Sequence, residues 1–291
     1  MAPHLSPPSF FTSPAARASM EEEYHALVEN LPPGVEFLNV ETSFGTTNVL
    51  TMGTPGAPAL VLLHGSNACA PLFLRHFLDL LPFMRLYAID LPGHPNLSAE
   101  VRWPLETDAC GQWMHEVLSK LSIWHANLVG VELGAYVALK SLTFDARRVG
   151  AAYLATPLGL HPACRWQYYW FRQRPLARFH RTPNAQTLGQ LTRNTWHLPD
   201  EALLRFWKNT LPGYRPHLAC PLPIASTDLK ELSVPLHLFI GSEDPFFSRT
   251  SLPDIPSLKF SVALPRSGYL PSSSAYSIMV DQIQNTFRRY R

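Results

Sequence analysis

No stretch of this sequence reaches the roughly 20 consecutive apolar residues that a membrane-spanning helix needs. The longest apolar runs, such as Ala59 to Leu63 and Val234 to Ile240, are strand-length, so the expectation is a soluble chain with no membrane partner. Cysteine is also scarce. Cys69, Cys110, Cys164 and Cys220 are too few and too scattered to staple a chain of 291 residues, and they read as free thiols of a reducing cytoplasm. None lies in a CxxC or in a Cys/His pair at zinc-ligand spacing, so neither a metal nor a cofactor is expected. The net charge is only +2 and forms no dense basic stripe, which argues against a nucleic-acid partner. Residues 1–19 hold Pro, Ser and one arginine, have no acid, and lack the apolar core of a secretory signal. They read as a disordered tail ahead of a helix that opens at Met20; weak transit-peptide character and an early start site are the other readings.

What is present is an alternation of short strand-like and longer helix-like apolar segments, the pattern of a mostly parallel sheet with helices on both faces. Strands at 36–42 and 47–52 read as an antiparallel hairpin around Ser43-Phe44-Gly45-Thr46. Parallel strands follow at 60–63, 86–89, 127–131, 150–155, 234–241 and 258–264, with helices at 71–81, 108–121, 135–142 and 273–290. The alternation stops between Leu158 and Ser226, where Trp, Tyr, Phe, Arg, His and Pro accumulate and helical pieces at 166–171 and 201–209 suggest a cap. The domain reading is therefore a tail at 1–19, a core at 20–157, a helical cap at 158–226 inserted after the sixth strand, and the rest of the core at 227–291.

One motif ties this pattern to chemistry. Gly130-Val-Glu132-Leu-Gly134 lies where a strand turns sharply into a helix, the context of a nucleophile elbow. His64-Gly65 follows the first parallel strand, Asp90-Leu-Pro-Gly93-His94 the second, Gly241-Ser-Glu-Asp244-Pro a late strand, and Ser267-Gly268-Tyr269 the last. In this order the motifs resemble the α/β-hydrolase superfamily from about Glu36 to Arg288, and are similar to its small bacterial carboxylesterase-like members. The resemblance implies an α/β fold, an ester-like or small apolar ligand or a protein partner, and a catalytic triad at Glu132, Asp244 and Tyr269. The oxyanion donors would be the backbone amides of Ser66 and Leu133.

Those positions depart from the family where the chemistry is done. The elbow apex is Glu132 instead of Ser, Cys or Asp, and the base position is Tyr269 instead of His, with no histidine anywhere after His237. A serine-type mechanism needs a base titrating near neutrality, and none of the three residues supplies it. Glu132 reads as a hydrogen-bonded residue without chemistry, as a ligand-binding or general-base carboxylate, or as a nucleophile. A further possibility is that its carboxylate occupies the oxyanion site itself. Asp244 reads as a turn cap and Tyr269 as a filler of the vacated histidine space. His64, His94 and His161 lie after strand ends and are the pocket candidates for a replacement base. Arg165, Arg172 and Arg174, beside the cap aromatics, suit an acidic or aromatic ligand. The overall expectation is a non-catalytic relative of carboxylesterases, with unusual acid/base chemistry at Glu132 as the alternative.

Overall fold

The computed structural model describes residues 9–160, 165–193, 200–216, 221–246 and 252–289. β1 (Glu36–Thr42) and β2 (Gly45–Met52) form the hairpin, with Thr42 opposite Gly45 so that Ser43 and Phe44 make the turn. β3 (Ala59–Leu63), β4 (Arg85–Ile89), β5 (Ala126–Val131), β6 (Val149–Ala155), β7 (Leu236–Gly241) and β8 (Leu258–Leu264) follow. The order across the sheet is β1-β2-β4-β3-β5-β6-β7-β8, with β2 antiparallel to β4 and every later neighbour parallel. Leu60 to Leu63 are fully buried, so no side of β3 faces water, as its unbroken apolar run requires.

Helices connect the parallel strands: α2 (Ala70–Leu74), α3 (Ala109–Lys120), α4 (Leu133–Phe144) and, at the end, α10 (Ala275–Arg289). The expected helix over 71–81 is broken. α2 stops at Leu74 and only a 3₁₀ turn at Leu78–Leu80 follows, because Arg75 and His76 turn aside to meet Asp200. Between β6 and β7 the chain builds α5 (Arg165–Tyr168), a π-helical turn at Tyr169–Gln173, α6 (Arg174–Arg181), α7 (Ala185–Thr192), α8 (Glu201–Thr210) and α9 (Ser226–Glu231). α7 begins in a reciprocal cap in which Asn184 accepts from the Thr187 amide and Thr187 accepts from the Asn184 amide.

The expected tail over 1–19 is corrected for its described part. α1 runs from Pro14 to Glu29, with Ser13 as N-cap and Pro14 at the position where a missing N–H costs nothing. Phe11 is buried and bridges Tyr214 just after α8, their rings 5.4 Å apart. Phe10 and Phe11, two aromatic side chains in a segment rich in Ser, Pro and Ala, gain enough apolar burial to order it.

Beneath the carboxyl ends of β3 and β4 lies a polar cluster that fixes the loops of the site. Asp90 is fully buried and accepts from the Ala70 amide at 2.6 Å and from Asn48 Nδ2 at 2.8 Å. The same Asn48 amide donates to the Tyr24 hydroxyl of α1 at 2.8 Å. Burial pushes the Asp90 carboxyl up to about 6 and the buried His64 imidazole down to about 4. Buried His237 is also lowered to about 4 by desolvation.

These shifts act in opposite directions on stability. Between pH ~4 and ~6.5 the unfolded chain binds more protons at His64 and His237 than the folded one, so their contribution rises with pH; Asp90 binds more in the folded state up to pH ~6, so its contribution falls. Asp90→Asn removes the falling part. Thermal unfolding from pH 4 to pH 6.5 is expected to give a melting temperature that climbs more steeply with pH in this variant than in the parent; an unchanged slope would show that Asp90 titrates normally.

Candidate functional site

At the end of β5 the backbone folds back so tightly that side chains are excluded on both sides of the turn. A Cβ on Gly134 would stand 2.1 Å from the Leu63 carbonyl oxygen, and one on Gly130 2.7 Å from the backbone of Ala135. Glu132 sits at the apex with φ 54° and ψ −106°, a strained conformation for a residue with a Cβ and of a kind that collects at functional sites. Its amide donates to the Ala155 carbonyl at 3.0 Å and its own carbonyl accepts from Tyr136 at 3.1 Å.

The Glu132 side chain is 1% exposed, and a carboxylate taken that far out of water requires partners. The Ser66 amide donates to Oε2 at 2.6 Å, and the Ser66 hydroxyl donates to Oε1 at 3.3 Å. The third partner comes from the cap: Arg172 forms an ion pair with Oε1, and it too is buried. Its guanidinium lies 5.4 Å from the Tyr168 ring centroid and 5.5 Å from that of Tyr269, in reach of cation–π attraction from both. The π-helical turn carries the arginine; such a turn adds a residue to the helical repeat and re-aims the side chains on it.

The Glu132 carboxylate therefore reaches one of the two expected oxyanion donors, the Ser66 amide. Leu133 occupies the first position of α4, and among the described residues its amide is not a partner of that carboxylate. Tyr269 is buried, its carbonyl accepts from the Thr156 hydroxyl at 2.8 Å, and its ring lies 5.6 Å from Phe246. Asp244 accepts from the Phe246 amide at 2.8 Å, which closes its own turn. His64 donates through Nδ1 to the Gly65 carbonyl at 2.7 Å and accepts at Nε2 from the Leu91 amide at 3.0 Å. With both ring nitrogens committed to backbone, it braces the loop and has no proton site left for a substrate. His94 accepts from the Asn67 amide at 3.2 Å and meets His64 edge-on. His161 lies outside the described residues, as do Cys164 and Cys220; Cys69 and Cys110 are buried free thiols.

A second cluster beside the site went unread in the sequence. Asp200, the N-cap of α8, pairs with Arg75 and with His76 Nε2 at 3.3 Å, while Tyr276 stacks on His76 at 3.9 Å. Arg75 and His76 hold the Asp200 carboxyl well below the usual range despite its burial, and burial lowers His76. Nothing in the local sequence marks Arg75, 125 residues away, or His76 beside it as partners of Asp200. Cluster and elbow enclose little free space. A cavity of about 30 Å³ lies by His64, Ser66, His76 and Asp200, and one of about 10 Å³ by Glu132, Arg172, Trp207 and Tyr269. The smaller one has room for about one water molecule. Among the described residues no group of three or more His, Cys, Asp or Glu side chains is placed to hold a metal ion.

Residues 60–277 match the model of the alpha/beta hydrolase family. The chain belongs to that family. It is 26% identical over 136 residues to the uncharacterized carboxylesterase nap of Bacillus subtilis, and 30% identical over 132 residues to the carboxylesterase YbfK of the same organism. These matches span 47% and 44% of this hydrolase-family chain and 45% and 44% of the relatives, so it matches less than half of each relative's length. Among solved structures, a hydrolase from B. subtilis superposes with a TM-score of 0.80 at 18% identity, covering 94% of this chain and 99% of the other. The naproxen esterase from B. subtilis gives 0.78 at 19%, covering 93% and 97%. Identities this low establish the shared fold.

The buried ion pair yields a test of its own. Removing one partner of a buried pair strands the other charge and costs about 3–5 kcal/mol. Arg172→Ala is expected to lower stability by about that much, and Glu132→Gln in the Arg172→Ala background is expected to recover most of it, both read from denaturant unfolding. If Arg172→Ala unfolds at the parent's denaturant concentration, the pair does not hold the cap to the core.

Proposed function

We propose that this carboxylesterase-related chain is a non-hydrolytic binding member of the family, whose pocket takes a small apolar molecule bearing a carboxylate. The observation that carries the reading is the Glu132 carboxylate resting on the Ser66 amide and ion-paired to Arg172. An ester hydrolase must present a nucleophile to the substrate carbonyl and keep the oxyanion donors open for the transition state. Here the apex side chain is itself an anion seated on one of those donors, and the base position is Tyr269.

The chemistry around Arg172 supports the ligand class. The guanidinium lies near the Tyr168 and Tyr269 rings, and the cavity it shares with Glu132 is otherwise bounded mainly by Leu176, Leu191, Trp207 and Leu270, a largely apolar lining with one cation that suits an aromatic or aliphatic acid once Glu132 is displaced. Such a ligand resembles the acid product of ester cleavage. Its carboxylate competes with Glu132 for Arg172, so binding and separation of the cap from the elbow are one event.

The alternative, catalysis with Glu132 as base or nucleophile, draws no comparable support, since both carboxylate oxygens are engaged by Ser66 and Arg172. Hydrolysis of p-nitrophenyl acetate and butyrate separates the two. The expected outcome is that the natural chain and Glu132→Ala both match buffer, while Glu132→Ser combined with Tyr269→His turns the esters over. Turnover by the natural chain that Glu132→Ala abolishes would overturn the binding reading and make Glu132 catalytic.

A further inference from the structure

The π-helical turn that sends Arg172 inward, together with α5 just before it, sends three large aromatic side chains outward. Trp166, Tyr169 and Trp170 are 64%, 48% and 41% exposed, although side chains of this size bury readily wherever a core is available. They are neighbours: the Trp166 and Trp170 rings are 5.9 Å apart, and Tyr169 meets Trp170 edge-on at 5.7 Å. The patch continues into an open groove of about 320 Å³ where Arg174, Arg178 and Arg193 surround Trp170. Arg174 lies over the Trp170 ring at 4.6 Å. All three arginines are exposed, and among the described residues none has a carboxylate partner.

The charge distribution is one-sided in the same place. Residues 158–199 contain six arginines, no lysine and no acid, which leaves 18 basic against 22 acidic side chains in the rest of the chain. A net charge of +2 thus conceals a positive cap on a negative body.

The geometry points to the outer face of this cap as a docking surface for an anionic lipid bilayer. Tryptophan and tyrosine favour the boundary between headgroups and acyl chains, where the ring is buried and its N–H or O–H stays wet. Arginines beside them meet lipid phosphates, each adding about 1 kcal/mol at an anionic surface. Trp166 and Tyr169 stand out from the surface and Trp170 borders only an open groove, so a soft headgroup layer can receive them without a matching surface. This departs from the sequence expectation of no membrane partner and requires no crossing helix; among the described residues no helix is long and apolar enough to cross. The inference does not depend on the proposed binding function.

Flotation of the full chain with vesicles tests it. The natural chain is expected to float with phosphatidylcholine vesicles containing phosphatidylglycerol, at least about tenfold more than with phosphatidylcholine alone, and less as salt is raised. Replacing the arginines together (Arg174→Gln, Arg178→Gln, Arg193→Gln) is expected to weaken the anionic vesicles' binding about a hundredfold. Trp166→Ala with Tyr169→Ala is expected to weaken binding to both kinds of vesicle. All these side chains are exposed, so the variants keep the fold. The proposal is overturned if the natural chain does not float with the anionic vesicles, or if both variants float as it does. It is equally overturned if soluble polyglutamate binds the cap where vesicles do not, which makes the patch a site for acidic protein.

Discussion

One buried charge governs the centre of this molecule. Glu132 is almost wholly removed from water on a strained backbone, and such a carboxylate survives only if donors surround it. Each donor comes from a different part of the chain: Ser66 from the loop after β3, Arg172 from the cap. The Asp90 cluster beneath positions the first, and the π-helical turn between α5 and α6 positions the second. Cap, core and elbow are therefore mutually dependent through one side chain, which ties the closed state of the pocket to the identity of residue 132.

Much of the frame could be read from sequence because it rests on local rules. The hairpin at 36–52, the buried run at 59–63 and the glycines at 130 and 134 each announce themselves within a few residues, through alternation, continuous apolarity or the need for close approach. The motif order carried the family. Predicted helix ends drifted by a few residues where the boundary depends on tertiary contact, as at Leu74, where Arg75 and His76 leave the helix for Asp200.

The site was legible only in part, for the same reason. That Glu132 stands at the elbow follows from five consecutive residues, and Ser66 as its donor follows from the fold. That Arg172 faces inward while Trp170, two residues earlier, faces out cannot be read from spacing, because the π-helical turn breaks the ordinary helical phase. His76 with Asp200 and Phe11 with Tyr214 are likewise pairs distant in sequence, invisible without the folded chain.

The elbow's shape comes from its neighbours. Gly130 and Gly134 let the chain pass against Leu63 and Ala135, and the positive φ at position 132 costs about as much for glutamate as for any other residue with a side chain. Shape and reactivity are thus written at different positions in the gene. A lineage can exchange the apex residue, and with it the chemistry, while the scaffold that presents it stays intact, so the turn functions as a socket whose fitting evolves separately from its mount.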